Sequence, residues 1–257
     1  MTTAAGSTPV VRAVAQATTV PALLRALVAS DPGRPRITWY DDAPGPTRGE
    51  RIELSARVLA NWVAKAANLL VDELDVEPGD RVVLDLPTHW RATYWLLAAW
   101  SVGAEVAVGA SDGGPAQVVV TDDPASLPAD GAATVVAVTL PALARKWAGA
   151  PLPAGAVDEA ATLTGQPDVF DAEEPAGDAA ALRTGAGAVT YAELLVGARA
   201  VSAGWPAQAR VLVSTGAADA LAGLLAPLTV DGSLVLVRDP DPALADERRA
   251  AERVTSA

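Results

Sequence analysis

His89 is the single histidine of this 257-residue chain, and it stands beside the start of a helix-like run, Thr88–Val102. A lone imidazole there could act as a general base, but triad chemistry also needs a nucleophile and an orienting carboxylate. No neighbouring serine or carboxylate suggests such a set, so His89 reads as a surface or cap-adjacent residue. Asp122-Asp123, and Asp239 with Asp241, are carboxylate pairs that could invite a hard cation. Neither repeats the ligand spacing of a calcium loop, and each adjoins a proline, so helix capping or initiation is the simpler reading. Cysteine is absent, which removes disulfides and thiolate metal sites.

Tryptophan is the unusual residue type, with seven copies against a single phenylalanine, Phe170. Trp90, Trp95 and Trp100 share one expected helix, with Tyr94 between them. A spacing of five projects them at roughly 0°, 140° and 280°, more than one supporting sheet can cover. Either that helix is buried on several sides, or at least one ring anchors a protein–protein interface, as tryptophan often does. The three are therefore the interface candidates.

The net charge is −12, with only two lysines, Lys65 and Lys146. Phosphate-backbone binding needs clustered cations, so nucleic acid is excluded as a partner class. The longest apolar stretch, Tyr94 to Ala110, contains Glu105 and falls short of the roughly 20 residues that span a bilayer. The segment 1–17 reads as a flexible tail without a targeting signal, and the expected location is the cytoplasm.

The elements that position these residues alternate between helix and strand, the pattern of an α/β layered fold with a core supported by 51% apolar content. Thr19 caps a helix through Val28, with Pro21 in its first turn. Arg36–Tyr40 reads as a strand, a short strand lies around Arg51-Ile52, and Glu53–Leu74 as an amphipathic helix. Strand Arg81–Leu86 is apolar on both faces apart from Asp85, as a covered parallel strand should be. Strands follow near Ala104–Val108, Gln117–Thr121 and Thr134–Val138, then a helix to about Trp147. The segment 148–181 holds four prolines, seven acidic residues and no basic one, the composition of a solvated connector. Beyond it come strand Ala181–Thr184, helix Thr190–Ala203, strand Arg210–Val213, helix Ala217–Leu228, strand Ser233–Val237 and a charged helix after Pro242.

The turn-strand run Pro78-Gly79-Asp80-Arg81-Val82, followed by Leu86-Pro87 and the Gly103 turn, resembles the front end of the AMP-forming acyl-CoA synthetase and adenylation-domain superfamily. Leu224-Leu225-Ala226-Pro227-Leu228 with Gly232–Val237 is similar to that family's helix-turn-strand before its acyl-pocket region. The resemblance covers most of this chain but only the first half of a complete enzyme. It implies a three-layer αβα fold with largely parallel sheets. It also implies two interleaved lobes, 78–203 in one and 18–77 with 206–257 in the other.

In that family a Thr/Ser/Gly-rich loop ending in Pro-Lys-Gly wraps the ATP phosphates, its amides and lysine offsetting their charge. The corresponding place here runs from Leu182 to Leu195, with Thr184, Gly185 and Gly187 as the candidate remnant. It is several residues shorter, lacks lysine, and has Arg183 on the wrong side. It reads either as a weakened phosphate cradle or as a tight strand-to-helix turn in which glycine supplies geometry alone. Where the family carries aromatic and histidine residues, Ser214-Thr215-Gly216-Ala217-Ala218 offers only a helix N-cap. The later motifs for adenine, magnesium, ribose and the C-terminal lysine have no counterpart. Adenylation depends on positioning and charge stabilisation, so the expectation is a non-catalytic binding or scaffold protein with no cofactor. The alternatives are a retained ATP, AMP or acyl pocket near Thr184–Gly187, or half of a split ligase completed by another chain. The sheet containing Ser233–Val237 is expected to lack former neighbours, and an uncovered edge invites a homodimer or a protein partner.

Overall fold

The computed structural model describes residues 9–109, 114–128, 131–184, 187–213 and 220–255. Within the segment 1–17, where a flexible tail is expected, the described residues begin with helix α1 (Pro9–Gln16), which places Val14 in the core at 1% exposure. The Thr19 hydroxyl accepts the Ala22 N–H at 3.3 Å and starts α2 (Val20–Ser30). Strands β1 (Pro35–Asp41) and β2 (Arg51–Ser55) then pair antiparallel. Helix α3 (Ala56–Asp72) begins later than periodicity suggests, because Glu53 pairs with Thr38 in the β-ladder and Ser55 provides the cap.

After β3 (Arg81–Asp85) come α4 (Trp90–Ser101), β4 (Glu105–Val108), β5 (Val118–Thr121) and β6 (Thr134–Ala137). The short β7 (Val157–Asp158) and α5 (Glu159–Thr162) follow, then β8 (Ala180–Thr184), β9 (Gly187–Thr190) and α6 (Tyr191–Val201). The chain closes with β10 (Arg210–Val213), a π-helical run Ala220–Leu225, α7 (Ala226–Thr229), β11 (Ser233–Arg238) and α8 (Ala245–Ala251). Part of the expected helix from Ala217 lies outside the described residues.

The strands form two sheets of order β10-β11-β1-β2 and β7-β6-β5-β3-β4-β8-β9. All pairs are parallel except β1 with β2 and β8 with β9. This is the expected α/β fold with largely parallel sheets. Helix α4 touches β1 of the smaller sheet, β3 and β4 of the larger one, and helices α2 and α3. Every residue of α4 is consequently buried.

That placement corrects the interface assignment. Trp90, Trp95 and Trp100 are 4%, 0% and 0% exposed, and Trp100 Nε1 donates to the Ala181 carbonyl at 2.8 Å. A helix with neighbours on every side turns each tryptophan inward, so none of the three presents its ring to a partner.

Three other expectations change. No helix forms before Trp147, because tertiary bonds take the polar groups a helix would use. The Leu140 carbonyl meets His89, Ala142 N–H donates to Glu50, and Trp147 N–H donates to Asp158. The acidic connector is anchored, not merely solvated: Asn68 Nδ2 donates to the carbonyls of Pro167 and Val169, and Lys65 pairs with Asp168 at 2.9 Å. Within it Glu159 and Leu163 are fully buried. Finally, β11 lies inside its sheet and β10 forms the edge. At Arg210 that edge is covered by the chain itself, since Thr255 accepts the Arg210 N–H on Oγ1 and donates its own N–H to the Arg210 carbonyl. Among the described residues no helix is long and apolar enough to cross a membrane.

Candidate functional site

In open parallel sheets ligands favour the crevice at the carboxyl ends of two neighbouring strands whose onward connections diverge. Here β3 leads through α4 to β4 on one side, while its other neighbour, β5, leads to β6 on the opposite side. Asp85, Thr121, Asp122 and Asp123 lie at that point, with His89 capping the adjoining helix.

His89 is buried at 1% exposure, not on the surface. Its Nδ1 accepts the Arg91 N–H at 3.1 Å, which leaves Nε2 to donate to the Leu140 carbonyl at 3.1 Å. The Trp39 ring meets it edge-on at 4.3 Å, and Trp39 Nε1 donates to the Thr88 carbonyl. Burial, reinforced by the Arg91 charge, holds the imidazole pKa well below its ordinary value. The ring is thus neutral with both nitrogens engaged, an N-cap rather than a base. Beside it, among Ala92, Thr93, Leu96, Leu224 and Leu236, the packing leaves a void of about 10 Å³, at most room for one water.

The Asp122 carboxyl is pushed up by burial, with Asp85 and Asp123 adding to the effect and Arg238 opposing it. No group of three or more metal-type ligands exists among the described residues. Asp123 precedes a 3-10 turn, Pro124–Ser126, without a side-chain cap, whereas Asp241 caps the turn Pro242–Leu244 by accepting the Ala243 N–H at 2.9 Å. Both pairs are turn residues.

The phosphate-loop candidates do not form a strand-to-helix turn. Thr184 ends β8, Gly187 opens β9 with φ +131°, and the two are partners in an antiparallel hairpin. Gly185 lies outside the described residues, as does the segment Ser214–Ala218. Only two residues therefore separate the paired strands. The helix begins beyond β9, where Glu193 accepts the Thr190 N–H at 3.0 Å in a capping box. Arg183 reaches back to Glu105, with Nη2 3.1 Å from Oε2, and Glu105 also holds Arg81. These two cations and their carboxylate brace β3, β4 and β8.

One cluster escaped the sequence reading. Arg91 Nη1 lies 3.2 and 3.0 Å from the two Glu159 oxygens, Tyr94 O–H donates to the same carboxylate, and the guanidinium stacks 4.5 Å from the Trp90 ring. Burial raises the pKa of both Glu159 and Tyr94, while Arg91 opposes it at each. The cluster ties the connector to α4. No local signal announces it, because Glu159 belongs to an acidic run that composition assigns to solvent.

No protein-family model matches the chain. Among solved structures it is similar to the Klebsiella oxytoca NpsA N-terminal subdomain, solved in complex with 3-hydroxyanthranilyl-AMSN. The TM-score is 0.67 at 16% identity, over 97% of this chain and 61% of that one. The N-terminal domain of FACL13 from Mycobacterium tuberculosis gives a TM-score of 0.65 at 17% identity, over 92% of this chain and 61% of that one. The chain thus spans about three-fifths of the length of these neighbours. At such identities the likeness carries the fold alone, that of the N-terminal part of adenylate-forming enzymes. A Mycobacterium tuberculosis (strain ATCC 25618 / H37Rv) protein described as "TIGR03089 family protein" is 37% identical over 244 residues, covering 91% of this chain and 95% of its own. The two sequences match over nearly their whole lengths, and the chain belongs to the TIGR03089 family.

Proposed function

We propose that this chain is a non-catalytic binding or scaffold protein on an adenylate-forming fold, acting through a protein partner or a second copy and without a nucleotide cofactor. The observation that carries this reading is the two-residue hairpin link between Thr184 and Gly187, without lysine, at the place of the phosphate loop. A link of two residues is shorter than a loop that wraps a triphosphate, which needs several N–H contacts and a cation to offset the charge. The neutral His89 supports it, since both ring nitrogens are engaged and the imidazole does not stand ready as a base. The test is pyrophosphate release by the purified chain with ATP, magnesium and a panel of aliphatic and aromatic acids. Release at the level of the blank is expected, and acid-dependent pyrophosphate would overturn the proposal. Light scattering across a concentration series then separates a second copy from a different partner.

A second reading, a retained acyl-adenylate pocket, has one specific motive: the NpsA N-terminal subdomain was solved with 3-hydroxyanthranilyl-AMSN. A ligand at about 100 times its Kd stabilises a fold by roughly 2.7 kcal/mol. A thermal-shift titration of this chain with that compound, ATP and AMP therefore decides between the readings. A saturable rise in Tm would favour the pocket, and no rise with any of the three would remove it for these ligands.

A further inference from the structure

Helices α2 and α3 converge on the segment 168–172 around a groove of about 410 Å³. Leu24 and Val28 on α2, Val63 on α3, and Val169 and Phe170 on the crossing segment form its walls. The groove stays open because α3 presents Ala60 and Ala64 towards it, two small side chains one turn apart. Ser101 also lines it and ends α4, so the groove lies towards the amino ends of β3 and β4, opposite the switch point. Its lining includes none of His89, Thr184, Gly187, Arg91 and Glu159.

The polar groups of the lining differ in what they have left to offer. Ser101 Oγ donates to the Leu97 carbonyl at 2.7 Å, and Asp168 is paired with Lys65 at 2.9 Å. Arg25, exposed on α2, has no hydrogen-bond or ion-pair partner among the described residues. An apolar cleft of a few hundred Å³ with a small number of placed polar groups is the usual form of a small-molecule site. A net charge of −12 repels anions in general, so one that binds must meet a local cation.

We propose that this groove binds a small amphipathic anion, an apolar chain or ring carrying one anionic head. The apolar body lies against Leu24, Val28, Val63 and Phe170, and the head meets the Arg25 guanidinium. Affinity then grows with apolar length until the groove is filled, by about fourfold per methylene. The head adds a smaller factor, about three- to fivefold, because Arg25 is solvated.

The test uses the full chain and alkyl carboxylates below their micelle-forming concentrations, followed by calorimetry and by displacement of anilinonaphthalene sulfonate. Expected are one saturable site, affinity rising about tenfold or more from octanoate to decanoate, and weaker binding of dodecanol than of dodecanoate. Arg25→Gln should erase the preference for the carboxylate over the alcohol. Ala60→Trp should abolish binding while leaving the circular dichroism spectrum unchanged. If Ala60→Trp does not fold, Arg25→Gln, at an exposed residue without a bond to any other described residue, still tests the head-group contact. Non-saturable partition, equal affinity for alcohol and acid, or full binding by a folded Ala60→Trp protein would each overturn the proposal. The readout is binding alone, so its failure is distinct from any result on pyrophosphate release.

Discussion

Acidification should weaken this protein through one side chain. His89 is neutral in the fold, held so by burial and by Arg91, whereas in the unfolded chain it titrates near about 6.5. Below that pH the unfolded state binds a proton that the folded state refuses. The stability contributed by His89 is therefore complete above the unfolded pKa and is lost as pH falls towards the depressed folded value. Lowering the pH from about 7.5 to about 5.5 should cost up to about 1.4 kcal/mol, the limit for one proton that the unfolded chain binds and the fold refuses. With a urea m-value of about 3 kcal/mol/M, the unfolding midpoint should drop by roughly 0.5 M. Because His89 is the only histidine, no second imidazole blurs the measurement. Asp122, whose pKa is raised, works in the opposite direction, and His89→Asn provides the reference that removes its effect. Asparagine keeps an N-cap acceptor and does not titrate. Urea midpoints of the two proteins should diverge as the pH falls. Parallel curves across that range would refute the assignment of a buried neutral imidazole.

Removing one member of the buried Arg91–Glu159 pair, by Arg91→Met or Glu159→Gln, should cost about 3–5 kcal/mol in chemical denaturation. Substituting both by methionine should recover most of it, and a double mutant as unstable as the singles would show that the charges themselves are not at issue. Trp100→Ala should cost about 3–5 kcal/mol without altering oligomeric state by light scattering, as befits a core residue. Glu252 joins Tyr40, Arg51 and Arg210 on the smaller sheet, so Glu252→Ala should cost about 1–3 kcal/mol. It should also raise amide exchange in 245–255, and unchanged exchange there would argue against its role as a latch.

What could be read from the sequence is what neighbouring residues decide. Thr19 caps the helix it precedes, α6 starts within a residue of Thr190, and β10 occupies Arg210–Val213 as patterning implies, because capping bonds and side-chain alternation act over three or four residues. The candidate groove was not legible: Val28 and Val63 look like ordinary core-face positions, and no periodicity announces that Phe170 will cross them. Distant segments decided the rest. Asn68 and Lys65 draw a proline-rich acidic stretch onto α3, Arg91 buries a glutamate that composition assigns to water, and two sheets enclose the tryptophans of α4. Burial is set by what arrives from elsewhere in the chain, so its consequences for Trp90, Trp95, Trp100 and His89 exist only once the sheets have assembled around them.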